Sequence, residues 1–397
     1  MLRIDPCFSP LVRLTTIIIF LLVLFDFCFT GIYCWSSEAK AVEQEQRNKL
    51  ESLFFVPGHD LLVGTCGTGL PNGRIRLWSI NDGQLKKVLD LDDWATSLAI
   101  SNDGSLIVVG LLKNKEIRCY SLKEKTWVWK VTRVGEGIVC CPMRFTPDDM
   151  RMVVVGATSI VTYDAKTGAI LQRQEDSKSF SGGFPNYRTR QNTLSPTARY
   201  AAFWQGDIAA HEALWPPKNI WVLVHDIEAG KIVARQGKIQ KKYKNWSAAF
   251  TPDERNLLLG SMDGHVRIWS IAEQKVIREW RAYQREDPVS FRESVGRPSP
   301  IHSMIFSPDG RRFATIGRLK EGFAIRIWDY PASKLIHEFP SVAWGMGLEM
   351  CTGYPMAFGP DGKSFALEQK GNLCLYDTQT WQEKWCVPSW AERVESR

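Results

Sequence analysis

Residues 303–329 read SMIFSPDGRRFATIGRLKEGFAIRIWD. An alternating run, Ser303-Met304-Ile305-Phe306, enters the turn Ser307-Pro308-Asp309-Gly310, and a second run, Arg312-Phe313-Ala314-Thr315-Ile316, leaves it. Proline at the second turn position fixes φ for a type I turn, and Asp and Gly suit the positions after it. The stretch therefore reads as a β-hairpin. A third strand, Ile325-Arg326-Ile327-Trp328-Asp329, ends in an aromatic–polar pair, and a fourth follows at Lys334-Leu335-Ile336-His337-Glu338-Phe339.

The turn recurs at Val56-Pro57-Gly58, Ser101-Asn102-Asp103-Gly104, Thr146-Pro147-Asp148-Asp149, Ser195-Pro196-Thr197, Thr251-Pro252-Asp253-Glu254 and Gly359-Pro360-Asp361-Gly362. The pair keeps step with it: Trp78-Ser79, Tyr120-Ser121, Tyr163-Asp164, His225-Asp226, Trp269-Ser270, Trp328-Asp329 and Tyr376-Asp377, spaced 42, 43, 62, 44, 59 and 48 residues apart. Four short strands at this period are the signature of propeller blades. Seven blades of roughly 45 residues need about 315 residues, which residues 51–390 supply with room for insertions. The expected fold is all-β, a seven-bladed β-propeller with an N-terminal hydrophobic helix. A sandwich or two small β-domains would not repeat one four-strand pattern seven times. The first unit starts on its innermost strand (Leu53 to Val56) and the last ends on its outermost (Trp381 to Val387). No strand is left over to interleave the first and last blades.

The segments Ser307-Pro308-Asp309-Gly310 with Ile325-Arg326-Ile327-Trp328-Asp329, and Met262-Asp263-Gly264-His265-Val266-Arg267-Ile268-Trp269, resemble WD repeats. The resemblance implies a buried polar set joining an Asp, a His, a Ser or Thr and the Trp. Asp263 and Trp269 match two members, and Trp328 and Asp329 match the repeat's closing pair. No repeat has a Gly-His dipeptide ahead of its first strand. Tyr163-Asp164-Ala165-Lys166-Thr167-Gly168 and His225-Asp226-Ile227-Glu228-Ala229-Gly230 are similar to quinoprotein-type propeller repeats.

Upstream, residues 1–13 form a short flank, 14–35 an apolar segment and 36–50 a polar linker; 391–397 form a C-terminal tail. The run LTTIIIFLLVLF (14–25) extended to Trp35 is about the length of a bilayer span, interrupted by Asp26. Arg3 and Arg13 precede it, so the flank stays cytoplasmic and the propeller lies on the non-cytoplasmic side. The apolar run exceeds the usual hydrophobic core of a cleaved signal, which favours an uncleaved signal-anchor. The alternative is a secretory signal cut after Ala41, leaving a secreted or periplasmic chain.

In a propeller the first-to-second and third-to-fourth turns share one face. Those turns are short here. The long insertions fall in the other group: Gly64 to Gly73, Glu175 to Asn186, Gln205 to Asn219, Ala282 to Pro298, Arg318 to Gly322 and Ser341 to Gly353. They carry Phe180, Phe184, Trp215, Tyr283, Phe291, Trp344 and Met346 as apolar anchors, with Arg188, Arg190, Arg285 and Arg292. Aromatics and Arg are enriched at interface hot spots, so this face is the candidate site for a protein or peptide partner.

The sequence carries no phosphate-binding GxxxxGK loop, no GxSxG, no HExxH and no paired CxxC. Six His are scattered without metal spacing, and the charge of +7 lacks the dense basic stripe that nucleic-acid binding needs. The stretch Lys238 to Lys244 reads as a solvated loop and edge. Neither cofactor, catalytic residue, metal nor small-molecule substrate is expected. Of ten Cys, three lie upstream of the propeller. Cys374 and Cys386 fall on neighbouring strands and pair if the compartment is oxidising; the states of Cys140 and Cys141 stay open. The expected function is a membrane-tethered, non-catalytic scaffold. Alternatives are a quinoprotein-like enzyme or cofactor-binding protein, and a structural subunit of a membrane complex.

Overall fold

In a computed structural model, residues 50–66, 73–132, 142–156, 159–175, 193–206, 220–236, 245–261, 263–283, 301–319, 322–330, 332–342 and 355–389 are described. All belong to one unit, Asn48–Arg397. The regular elements among them are 28 strands in seven four-stranded antiparallel sheets, each built from four consecutive strands. Blade 1 is β1 (Leu50–Val56), β2 (Leu61–Cys66), β3 (Arg74–Ser79) and β4 (Leu85–Asp90). Blade 2 is β5 (Ala95–Ile100), β6 (Leu106–Leu111), β7 (Glu116–Ser121) and β8 (Thr126–Thr132). Blade 3 is β9 (Met143–Phe145), β10 (Arg151–Val155), β11 (Ser159–Asp164) and β12 (Ile170–Glu175). Blade 4 is β13 (Thr193–Leu194), β14 (Tyr200–Gly206), β15 (Ile220–Asp226) and β16 (Lys231–Arg235). Blade 5 is β17 (Asn245–Phe250), β18 (Asn256–Ser261), β19 (His265–Ser270) and β20 (Lys275–Arg281). Blade 6 is β21 (Ile301–Phe306), β22 (Arg312–Leu319), β23 (Gly322–Asp329) and β24 (Lys334–Val342). Blade 7 is β25 (Met356–Phe358), β26 (Ser364–Gln369), β27 (Asn372–Asp377) and β28 (Glu383–Pro388).

First strands of successive blades approach one another, and fourth strands are largely exposed. The second and third strands are buried on both faces, so they read as near-continuous apolar runs. Seven hydrophobic clusters lie between blades. The cluster between blades 2 and 3 joins Val108 and Cys119 to Met152 and Val161. The one that closes the ring joins Leu53, Leu62 and Trp78 of blade 1 to Ala366, Leu373 and Leu375 of blade 7. A propeller thus has no core inside a blade; each sheet is one wall of two cores.

The aromatic–polar pair ends the third strand in all seven blades. The aromatic is buried between blades: Trp78, Tyr120, Tyr163, Trp269 and Trp328 are at most 5% exposed. Its polar neighbour caps the following turn. Asp164 accepts from the Thr167 amide at 2.8 Å, Asp329 from Ala332 at 2.9 Å, and Ser270 from Glu273 at 3.3 Å. That division of labour is the physical reason for the pattern.

One expectation needs adjustment. Arg318 to Gly322 is not an insertion: β22 and β23 pair as far as Leu319 opposite Gly322, and Leu319 and Phe323 pack on flanking cores. The expected hydrophobic helix at 14–35 lies outside the described residues, as do the 36–49 linker and the 391–397 tail. Among the described residues no helix is long and apolar enough to cross a membrane.

Candidate functional site

Every first-to-second and third-to-fourth turn has four or five residues. The connections at the opposite end of the blades reach nineteen, between β20 and β21. The two faces therefore differ in kind, as the sequence indicates. Phe180, Phe184, Arg188, Trp215, Arg285, Phe291, Arg292, Trp344 and Met346 lie outside the described residues, as do Cys140 and Cys141.

Tyr283, the candidate that lies within them, is buried and does not face a partner. It is 1% exposed, and its hydroxyl sits 2.8 Å from Thr315 Oγ1, 3.0 Å from the Thr315 carbonyl and 3.1 Å from the Ala324 carbonyl. Thr315 Oγ1 in turn accepts the Trp328 indole N–H at 3.0 Å. The Arg326 guanidinium lies 4.7 Å over the Tyr283 ring, ion-paired to Glu338 at 2.5 Å. Burial pushes the Tyr283 phenol well above its ordinary pKa, so it stays a neutral donor. Tyr283 thus completes a Trp–Thr–Tyr set between blades 5 and 6 and is not presented to a partner.

Blade 5 answers the same need differently. The Ser261 hydroxyl donates to Asp263, and Arg267 donates to Ser261 Oγ at 2.8 Å, to Asp263 at 3.0 Å and to Glu279 at 2.8 Å. Burial acts to raise the Asp263 pKa, but the Ser261 and Arg267 bonds outweigh it and the net shift is downward. Trp269 Nε1 has no hydrogen-bond partner among the described residues. Asp263 is therefore part of a charged set that bypasses the indole.

Blade 2 holds residues that insertion length did not reveal. Trp94 sits in the four-residue connection from β4 to β5. Asp93, fully buried, accepts the Trp94 amide at 2.6 Å and the Asn114 amide at 2.8 Å, fixing this connection against the β6–β7 turn. Lys113 Nζ lies 4.9 Å over the Trp94 ring. Arg118 bridges Asp92 at 2.7 Å and Glu116 at 2.6 Å, and its guanidinium holds the Asp92 carboxyl below the ordinary range. A half-buried Trp beside mobile-stemmed cations is a hot-spot chemistry. The signal in the sequence was a lone Trp just before a first strand.

The described residues offer no catalytic constellation; one group, Cys374, Glu383 and Cys386, has metal-ligand chemistry.

Residues 244–270 match a family described as "WD domain, G-beta repeat". That stretch lies in one blade of the seven-bladed propeller, and the chain has WD-repeat relatives. It is 35% identical over 136 residues to WD repeat and SOCS box-containing protein 1 of Xenopus tropicalis, covering 33% of this chain and 31% of that protein. The Danio rerio protein of that name is 35% identical over 105 residues, covering 26% and 24%, and the Homo sapiens one 34% over 106 residues, covering 26% and 24%. The chain thus spans under a third of these curated relatives. Among solved structures, Kuenenia stuttgartiensis hydrazine synthase aligns at a TM-score of 0.57 and 13% identity, over 85% of this chain and 95% of that one, a likeness of fold.

Proposed function

We propose that this WD-repeat propeller is a non-catalytic scaffold that binds a protein or peptide through its long-connection face, and that residues 14–35 tether it to a membrane with the propeller on the non-cytoplasmic side. One observation carries the binding reading: all connections longer than five residues lie at one end of the blades. A closed ring of sheets fixes the roots of those connections, so little ordering entropy is lost when a partner docks. Trp94 and Lys113 extend the surface beyond the insertions. The Cys374–Cys386 disulfide supports the export reading, because disulfides persist in oxidising compartments.

The test starts from affinity purification out of solubilised membranes, with cross-linking to place the partner on the propeller. Shortening 176–192, 207–219 and 284–300 to turns should leave the thermal transition intact and abolish capture of that partner. Trp94→Ala should weaken it by at least about tenfold. Undiminished capture by the shortened chain would refute the face. Tethering is tested separately: alkaline extraction should release residues 36–397 expressed alone but leave the full chain in the pellet.

A further inference from the structure

We propose that Cys374, Cys386 and Glu383 form a redox-gated site for one thiophilic divalent cation on the outer hairpin of blade 7. Cys374 on β27 stands directly opposite Cys386 on β28, with Cα atoms 4.0 Å apart, and the two are joined as a disulfide. The sulfurs and a Glu383 carboxylate oxygen all lie within 4.8 Å of one another. Cys374 is buried, whereas Cys386 and Glu383 are exposed, so one side of the set is anchored in the blade and the other is open to an incoming ion. Lys384, next in sequence, is occupied by Ser364 at 3.3 Å and Asp377 at 3.6 Å.

The oxidised pair binds nothing, because both sulfurs are spent on each other. Two equivalents of a small thiol break the S–S bond: the reductant leaves as its own disulfide, and its two protons end on Cys374 and Cys386. A cation then displaces those protons. Two thiolates and one carboxylate complete three positions of a tetrahedron, with water in the fourth. That set suits zinc or cadmium and not calcium or magnesium. Either cross-link, covalent or metal, holds β28 to β27.

Cadmium is the probe, because its thiolate complexes absorb in the ultraviolet. The full chain should show no band from this pair before reduction. After reduction it should show one more equivalent of bound cadmium than reduced Cys386→Ser, a subtraction that removes the other cysteines. Glu383→Gln, an exposed change that leaves the fold alone, should weaken that equivalent about tenfold or more. Identical titrations of reduced wild type and Cys386→Ser would overturn the site. So would equal binding before reduction, an unaffected Glu383→Gln, or calcium competing as well as zinc.

Discussion

In the first turn of every blade one residue is left-handed, the fourth in blades 2 to 7 and the third, Gly58, in blade 1. Gly58, Gly104, Gly310 and Gly362 take this without strain, but Asp149, Ala198 and Glu254 hold φ of 54°, 59° and 57°, at on the order of 1 kcal/mol each. Two of the three offset that cost by stapling neighbouring turns. Asp149 accepts the Asn102 amide at 2.7 Å, its side-chain amide at 2.8 Å and the Asp103 amide at 2.8 Å; Glu254 accepts the Thr197 amide and hydroxyl at 2.7 Å. Asp149→Ala keeps the strain and loses the staple, so urea unfolding should show a loss of about 1–2 kcal/mol, with Asp149→Gly closer to wild type; the reverse order would remove the staple from the account. Asp263 gives a pH prediction. Its folded pKa is depressed, so its contribution is complete above the ordinary carboxylate value near ~4 and fades as pH falls through the lower folded value. Melting temperature should therefore fall less steeply with acid in Asp263→Asn than in wild type. Tyr283→Phe leaves Thr315 and Ala324 short of a buried donor. It should cost about 1–3 kcal/mol with partner capture unchanged.

Among elements, the fourth strands repay comparison. In all seven blades the pairing between third and fourth strands shifts register just before the buried aromatic, at Leu77/Trp78, Cys119/Tyr120, Thr162/Tyr163, Val224/His225, Ile268/Trp269, Ile327/Trp328 and Leu375/Tyr376. The extra residue lies on the outer strand, where a bulge bends the edge and spoils it as a template for another chain. Blades 2 to 6 expose an apolar pair there, from Trp127-Val128 to Leu335-Ile336, each residue 36% to 54% exposed. If the bulge is the protection, charge at this point adds little to it. Ile277→Lys and Leu171→Lys should change stability by no more than about 0.5 kcal/mol and leave light scattering near wild type; a marked drop in self-association would make the pairs an interface. Turns and third strands were legible because Pro-Asp-Gly chemistry and the aromatic–polar pair each answer to a local need. The bulges were not, since one extra residue on an exposed edge leaves no hydrophobic signature. Tyr283 was misread because its partners, Thr315 and Ala324, are 32 and 41 residues away.

For the whole molecule the question is how the ring stays closed without a shared strand. The sequence phase ruled that strand out, and β1–β4 and β25–β28 are indeed separate complete sheets. What replaces it is a device also used inside the ring. Trp129 on β8 donates its indole N–H to the Ala165 carbonyl of blade 3 at 3.0 Å and lies against Gly168, where a Cβ would come within 2.8 Å of the ring. Trp385 on β28 does the same to blade 1, reaching the Ile80 carbonyl at 2.6 Å and lying within 2.8 Å of a Cβ placed on Gly83. Deeper in, Arg76 of β3, 1% exposed, donates to the Ser389 carbonyl at 2.8 Å. The two tryptophans are equivalent in register, opposite Cys119 and Leu375, but not in consequence. Blades 2 and 3 remain joined by the chain when their clasp fails; blades 7 and 1 are joined by nothing covalent among the described residues. Trp129→Ala and Trp385→Ala should each cost at least about 2 kcal/mol. Only the second should speed amide exchange in both β1 and β28, the strands on either side of the closure, while blades 3 to 5 keep their protection. Slow exchange in β1 of the Trp385→Ala protein would mean that the Leu53, Trp78 and Leu375 core closes the ring alone.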